Sequence, residues 1–555
     1  MELRFSDITA PRPDREGLAA RYEALNAALA QAPEVTLREW DALRREVDGW
    51  MALAHLRFAQ DTTDAEAKAE REYADALAPV VQGHETAMKR RVLAEVDLAL
   101  VAEICGAHTP ALWRCDITTF APEIAADLEE EAKLSARYTA LLAGAKLQVG
   151  GEEVNLSGLA PHAEHSDRAR RHEAEAARWS FFAQNGEELD AIYDALVKLR
   201  HGMALKLGDE SFTALAYRRM RRLDYGPQEV ARYREEIVAR VVPLVAELLE
   251  ARRAAHGWDR LRYWDEALID PAGNPAPLGD HDALLDAAQA MFDGMDKRLA
   301  DFFRGMAAGG FLDLKNRPGK AGGGFCTSFP SQGAPFILAN FNGTHHDIGV
   351  FTHEMGHAFQ CWQSRALPGV DQLWPGMESA EIHSMGLEFL THPGIHHLVG
   401  EDAAERFRRM HLISSLAFLP YGACVDHFQH EVYANPDATP AERHAIWQRL
   451  ERLYMPWTDY GDLEYPAKGG RWQAKQHIYN APFYYIDYAL ALCCAMQFWQ
   501  RSRRDAPAAL EAYVALCGRG GSLPFSGLVE SAGLASPFAP GALAGVVEEA
   551  RAVLG

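Results

Sequence analysis

The chain has 555 residues, 48% hydrophobic and 24% charged, which is typical of globular proteins and long enough to predict more than one lobe. Its formal net charge of −22 disfavours nucleic acid and anionic membranes as partners. The sequence shows no signal-peptide pattern and no apolar run of about 18 residues, so we expect a cytoplasmic protein.

Helical patterns dominate the sequence from Pro13 to about Arg137. Thr36 and Glu39 have the spacing of a capping box, which predicts that a helix begins there. The polar segment 61–64 predicts the break before the next helix. The region is therefore predicted to be a series of consecutive helices.

A short β-hairpin is predicted over Lys146–Leu156, where alternating residues flank the pair Gly150–Gly151. Helical patterns resume near Asp167 and continue to about Phe303, and they include a long helix over 228–256. No internal repeat interrupts this region.

The composition changes to glycine-rich extended segments after Gly310. The triple glycine 322–324 predicts a tight turn or a close backbone approach. The segment Phe336–Phe341 is the clearest strand, and it leads almost directly into the next helix. Such a strand could offer its edge to an extended peptide, or it could be an ordinary hairpin partner.

The segment Thr344–Gln363 contains an H-E-x-x-H pentad and reads as an amphipathic helix. His353 and His357 are four residues apart and therefore project from one helical face, where two imidazoles can share one zinc ion. Glu354 then lies beside the open coordination position, as a general base for a zinc-activated water requires. The pattern predicts one Zn²⁺ per chain.

A third zinc ligand is expected on the next helical segment, where Glu381, Ser384 and Glu388 share a polar face. We predict that Glu381 is the ligand and that Glu388 orients a ligand histidine by a hydrogen bond. Glu378 is the alternative ligand. A solvated helix surface is the non-functional interpretation of the two outer glutamates.

These motifs together resemble the M3 family of zinc oligopeptidases, and in particular its oligoendopeptidase F and Pz-peptidase branch. The residues that carry the resemblance are HEMGHAFQ at 353–360, the spaced Glu381, Ser384 and Glu388, and the segments 320–329, 335–341 and 477–488. The strong resemblance covers about residues 315–490. It implies a deep channel that admits short peptides.

The resemblance also implies that His477 and Tyr484, and next Tyr488, act on the substrate. A histidine and a tyrosine directed at a developing oxyanion would donate hydrogen bonds where the transition state gains charge. On a helix Tyr484 and Tyr488 share a face, as do Tyr485 and Tyr488. Pro482 suits the first turn of that helix.

The fold class that we predict is mainly α: a two-lobed helical metallopeptidase that encloses a deep cleft, with a small β-sheet next to the H-E-x-x-H helix. Residues 1–190 would form an N-terminal helical region with a small hairpin, and residues 191–555 the zinc peptidase catalytic region. The predicted function is endopeptidase cleavage of short unstructured peptides. The alternatives are a zinc carboxypeptidase or dipeptidyl carboxypeptidase, and a non-catalytic peptide-binding metalloprotein.

Overall fold

The computed structural model describes residues 3–317 and 319–555, and it is mainly helical as predicted. The amino-terminal helices are α1 (Arg15–Ala28), α2 (Pro33–Gln60), α3 (Ala65–Glu95), α4 (Leu98–Cys105), α5 (Thr109–Asp116) and α6 (Ala125–Ala143). The predicted break at 61–64 is confirmed, since Asp64 caps the first turn of α3.

The predicted start of α2 at Thr36 is wrong. The helix begins one turn earlier at Pro33, because proline fits the first helical turn, which needs no N–H donor. The Thr36 hydroxyl donates back to the carbonyl of Ala32 at 2.9 Å, so it does not cap a helix start.

The predicted hairpin is confirmed as strands β1 (Leu147–Val149) and β2 (Glu152–Val154), which pair antiparallel. The following helices are α7 (Ala160–Ala163), α8 (Arg168–Gln184), α9 (Gly186–Lys206), α10 (Phe212–Arg219), α11 (Pro227–Glu236), α12 (Val242–Ala255), α13 (His281–Met295) and α14 (Lys297–Gly309). A π-helical turn, Ile237–Val241, joins α11 to α12, so the predicted long helix is continuous.

A three-stranded sheet lies between α14 and the H-E-x-x-H helix. Its strands are β3 (Leu312–Lys315), β4 (Phe325–Phe329) and β5 (Ala334–Phe341), in the spatial order β3-β5-β4. Strand β5 pairs parallel with β3 and antiparallel with β4, so both of its edges are occupied. The expectation that β5 offers an edge to a peptide is therefore wrong, because β5 is the central strand. The edge strands of the sheet are β3 and β4.

The remaining helices follow this sheet in the sequence and include the two that carry the candidate metal ligands. They are α15 (His345–Ser364), α16 (Met377–Leu390), α17 (His396–Val399), α18 (Glu401–Ala434), α19 (Pro440–Tyr454), α20 (Glu464–Ala467), α21 (Gln476–Asn480), α22 (Tyr485–Ser502), α23 (Ala506–Cys517), α24 (Phe525–Ser531) and α25 (Ala544–Leu554). None of the helices within the described ranges combines the length and apolarity that crossing a bilayer requires.

Two large hydrophobic cores, and a small one at the β1–β2 hairpin, support the fold. One large core is formed by residues between Leu18 and Trp113 of the amino-terminal helices. The larger core contains β5, the buried face of α15, the apolar residues of α16 and most of α22, including the adjacent cysteines Cys493 and Cys494. Both thiols are free and buried, as expected of small apolar packing residues. The division of the chain at residue 190 stays a prediction.

Candidate active site

Helix α15 is fixed at its start by a carboxylate. Thr344 occupies the N-cap position but makes no side-chain cap. Instead, Asp347 in the first turn accepts hydrogen bonds from the backbone N–H groups of Asn342 and Gly343. This contact joins the end of β5 to α15, so the sheet and the H-E-x-x-H helix are held as one unit.

His353, His357 and Glu381 form a cluster that could hold a metal ion. Each offers one ligand atom, and these atoms lie within 4.8 Å of one another. The Nε2 atoms of His353 and His357 lie 3.2 and 3.5 Å from the same oxygen of Glu381. Two imidazoles and one carboxylate, largely screened from solvent, match the donor set of a catalytic zinc site.

Glycine at position 356 allows the two ligand-bearing helices to approach closely. A Cβ atom there would lie 2.4 Å from the carbonyl oxygen of His383 and 2.6 Å from Cα of Ser384. Only glycine therefore permits α15 to pack on α16 at this distance, which brings Glu381 to the two histidines.

Two further residues of α16 orient the cluster. The hydroxyl of Ser384 donates to Glu381 Oε2 at 2.9 Å. Glu388 lies 2.7 Å from Nδ1 of His353, the geometry expected of a carboxylate that fixes a ligand histidine. Burial opposes ionisation of Glu388, but hydrogen bonds with His353 and His411 outweigh it and lower its pKa to about 2.

The sequence did not indicate His411, which continues the series of hydrogen bonds that begins at His353 and Glu388. Its Nε2 lies 2.9 Å from Glu388, and its Nδ1 lies 2.9 Å from Nε2 of His392. His411 is on α18, 23 residues from Glu388, and no local motif marks that pairing.

Glu378, the alternative ligand, is not part of the metal cluster within the described residues. It is buried near Asp487 and Arg222. Burial, together with repulsion from Asp487, raises the pKa of Glu378 to about 8. The structure therefore favours Glu381 over Glu378 as the third donor.

Glu354 is buried beside the cluster, with one carboxylate oxygen that has no hydrogen-bond partner in the described residues. Burial raises its pKa, although the neighbouring histidines oppose the shift. Gly324 approaches closely: a Cβ there would lie 2.8 Å from Val350 and 3.7 Å from a Glu354 oxygen. Gly323 has a φ of +89°, so the triple glycine provides both a tight turn and a close approach.

His477, Tyr484 and Tyr488 lie next to the cluster. The Tyr484 hydroxyl donates to Glu381 Oε1 at 2.5 Å, and the ring of Tyr484 lies 5.0 Å from that of Tyr488. The His477 ring lies 5.8 Å from both of these tyrosines. Burial lowers the pKa of His477 to about 4, so the imidazole is neutral near pH 7.

Tyr485 differs from the other two tyrosines. It is buried, and the ammonium of Lys475 lies 4.7 Å from the centre of its ring. Its hydroxyl makes no hydrogen bond with His353, His357 or Glu381. The prediction that Pro482 lies in the first turn is wrong, because α22 begins at Tyr485 with Tyr484 as its N-cap.

The turn before Tyr484 is strained and firmly held. Phe483 has a φ of +66°, a left-handed conformation that is unfavourable for a bulky residue. Its N–H donates to Gln429 at 2.8 Å, and its carbonyl accepts from Arg222 at 2.7 Å. Arg222 also donates to Asp487 at 2.5 Å, which ties the turn to α22.

A cavity of about 820 Å³ lies beside the first turns of α15, the helix that carries His353, Glu354 and His357. Its walls include the segment after the hairpin, the glycine-rich segment before β4, and the first turns of α15 with Val350. Two wall residues are near Glu354: Val350 lies four residues before it on α15, and a Cβ atom on Gly324 would lie 3.7 Å from one of its oxygens. The cavity thus extends from the hairpin region towards the helix that carries the candidate catalytic glutamate.

An H-E-x-x-H helix, a glutamate donor on the next helix and an enclosing helical framework define a metallopeptidase. Two family descriptions match this chain: Peptidase family M3 over residues 291–547 and Peptidase M3 N-terminal domain over residues 5–120. The chain belongs to peptidase family M3, which confirms the resemblance found in its sequence.

Three solved structures illustrate the similarity. An oligoendopeptidase F is 42% identical with a TM-score of 0.96, and the match covers 100% of this chain and 98% of that one. PZ peptidase A with an inhibitor is 39% identical, with a TM-score of 0.96 and 99% coverage of both chains. An oligoendopeptidase F from Bacillus anthracis str. Ames is 39% identical, with a TM-score of 0.91 and coverage of 100% and 98%. No curated protein sequence matched the chain.

Proposed function

We propose that this metallopeptidase is a zinc-dependent endopeptidase that hydrolyses internal bonds of short, unstructured peptides. The observation that carries the proposal is the convergence of His353, His357 and Glu381, with Glu354 buried beside them. The oligoendopeptidase F and PZ peptidase structures support the same activity class.

Zinc fits the donors present, and we propose one ion per chain held by His353, His357 and Glu381. Glu388 would accept a hydrogen bond from the Nδ1–H group of His353, which leaves the Nε2 lone pair of that histidine to bind the metal. Two imidazoles and a carboxylate suit Zn²⁺ and leave a position open for the reaction. A bound zinc ion would supply Lewis acidity and ease deprotonation of water.

Glu354 is the proposed general base and then the general acid. Its carboxylate would take a proton from the attacking water and later deliver it to the departing amine. The raised pKa that burial gives Glu354 suits both tasks, because such a group releases and accepts protons nearer to neutral pH. The oxygen without a hydrogen bond is available for this transfer.

His477 and Tyr484, with Tyr488 beside them, are proposed to donate hydrogen bonds to the substrate oxygen as it gains negative charge. The phenol of Tyr484 stays protonated because burial and the charge of Glu381 raise its pKa far above the usual value. The strained turn at Phe483 holds this phenol against Glu381 before substrate binds. Such preorganisation is what makes an oxyanion site effective.

The substrate is proposed to be an extended peptide that lies in the cavity and pairs with the edge strand β4. This strand is hydrogen-bonded to β5 only, and the cavity next to its amino-terminal end has room for a short peptide. Backbone pairing of this kind depends little on side-chain identity, so a range of sequences can bind.

A doubly end-blocked peptide tests the proposal. After incubation with the zinc-loaded enzyme, mass spectrometry should show cuts at internal bonds, and the matched variant Glu354→Gln should show none. Cleavage only after the carboxyl end is unblocked would identify a carboxypeptidase. Binding without any cleavage would identify a non-catalytic peptide-binding protein.

A further inference from the structure

The charged side chains that line the cavity beside Glu354 are mostly cationic, whereas the whole protein is acidic. The chain carries a formal net charge of −22. The cavity wall, in contrast, contains three cationic side chains, Arg178, Arg317 and Lys320, and one carboxylate, Asp347. A cationic wall in an enclosed space attracts an anionic group of the ligand.

Most of these charges are already engaged. Asp347 accepts two backbone N–H groups at the start of α15. Arg317 and Lys320 both bind Asp313, at 2.6 and 2.9 Å, and hold the glycine-rich segment in place. Neither the carboxylate nor these two cations is therefore free to bind a ligand.

Arg178, on helix α8, is the exception. In residues 3–317 and 319–555 its one ion pair runs from Nε to Glu175, 3.1 Å away, and that Nε makes no well-directed hydrogen bond. No acceptor in those residues receives a hydrogen bond from its two terminal nitrogens. The side chain is 27% exposed and lines the cavity, so Arg178 is the wall cation that keeps hydrogen-bonding capacity for a ligand.

We propose that Arg178 binds the terminal carboxylate of the substrate peptide. This inference rests on the proposed peptidase function and adds a fixed anchor on the cavity wall. A guanidinium matches a carboxylate with two parallel hydrogen bonds, whereas it repels the ammonium group at the other end of a peptide. The scissile bond then lies a few residues before the free carboxyl end, and the cavity length sets that distance.

Peptides that share one cleavage sequence and differ only as free acid or amide test this anchor. Binding is measured with Glu354→Gln, which holds the peptide without cutting it. The free acid should bind about tenfold or more tightly than the amide, the effect of a charge-assisted pair. Adding Arg178→Ala should remove the difference, and Arg178→Lys should restore part of it. The same preference should be seen in kcat/KM of the enzyme with an intact Glu354.

The control is Arg170→Ala on the same helix, since Arg170 contacts His162 at 3.1 Å and does not line the cavity. It should keep the preference for the free acid. Lengthening the peptide on its carboxyl side should weaken the preference, because the carboxylate passes the anchor. Equal binding of acid and amide, or a preference that survives Arg178→Ala, overturns the proposal. Because binding is measured without cleavage, the anchor is tested even if no peptide is hydrolysed.

Discussion

Tyr484 connects the metal cluster with the proposed oxyanion site, since its hydroxyl donates to the candidate ligand Glu381. This phenol is a donor that can move from the carboxylate to a substrate oxygen as charge develops there. The arrangement separates Tyr484 from Tyr485, whose ring packs against Lys475. We therefore expect the two adjacent tyrosines to have different roles, which substitution can distinguish.

Replacing Tyr484 with phenylalanine, or His477 with alanine, should lower kcat by about 10²–10³-fold with KM and bound zinc little changed. The reason is that each loses a donor needed mainly in the transition state. Steady-state kinetics and metal analysis on each variant provide the measurement. Tyr485→Phe is the matched control and should keep full activity. Equal losses for Tyr485→Phe and Tyr484→Phe would contradict the assignment.

Sequence reasoning predicted the candidate residues that local spacing determines. His353, Glu354 and His357 follow from four-residue helical spacing, and Glu381 from the polar face of one helix. Arg222 and His411 were missed because their partners are remote in sequence; Arg222 and Asp487 are 265 residues apart. No local pattern records such a pairing, so only the folded structure shows it.

The close contact between helices α15 and α16 depends on a glycine, which has no side chain, at the point where the two helices meet. Gly356 lies against the backbone of α16 at His383 and Ser384, and a methyl group there would overlap it. We therefore expect the candidate metal site to be sensitive to one added carbon atom at position 356, which is not itself a candidate ligand.

The variant Gly356→Ala should lower stability by about 1–3 kcal/mol, the usual cost of overpacking, and should weaken zinc retention by displacing Glu381. Thermal unfolding and zinc titration measure the two effects. Gly349→Ala, on the same helix with open space around it, is the control and should be neutral or stabilising, because alanine favours helix by about 1 kcal/mol. Full zinc affinity in Gly356→Ala would show that the close approach is not needed.

Two predictions, the start of α2 and the edge position of β5, were wrong. The residues at Thr36 and Glu39 have the spacing of a capping box, but the helix begins one turn earlier at Pro33. Strand β5 was predicted correctly, yet its central place in the sheet was not, since strand order depends on long-range pairing. Local propensity indicated which segments are regular, and tertiary packing decided where they begin and what they pair with.

At the scale of the whole molecule, Asp371 joins the amino-terminal helices to the catalytic region. It is buried and accepts hydrogen bonds from Arg44 at 2.6 Å and from Trp113 at 2.9 Å. Burial opposes its ionisation, but Arg44 and Arg221 outweigh this and hold its pKa well below the usual range. The carboxylate therefore stabilises the fold only while it is ionised.

Asp371→Asn should cost about 3–5 kcal/mol at pH 7, the effect of removing one partner of a buried ion pair. Because the folded pKa is depressed, this stabilisation is complete above the unfolded pKa of ~4 and is lost as the pH falls below it. Denaturant unfolding of both proteins from pH 7 to 3 should show the difference shrinking. Glu70→Gln, which breaks an exposed pair with Arg12, is the control and should cost less than about 1 kcal/mol. A pH-independent difference for Asp371→Asn would contradict the account.

The enclosed cavity predicts a limit on substrate size. Unstructured peptides of roughly 5–20 residues should be cleaved, and folded domains should resist because unfolding costs ~5–15 kcal/mol. One cleavage sequence placed in peptides of increasing length, and then in reduced, alkylated casein, tests this by comparison of kcat/KM. Equal values in every context would indicate an open site.

The most direct test of the central claim is a zinc titration of the metal-free enzyme, followed by internal cleavage of a doubly blocked peptide. Activity should rise in proportion to added zinc and level off at about one ion per chain, because three donors form one site. Glu354→Gln should bind the same amount of zinc and lose about 10²–10⁴-fold or more in rate. His353→Ala, His357→Ala and Glu381→Ala should fail to retain zinc. Full activity without metal, or full activity of Glu354→Gln, would contradict the account.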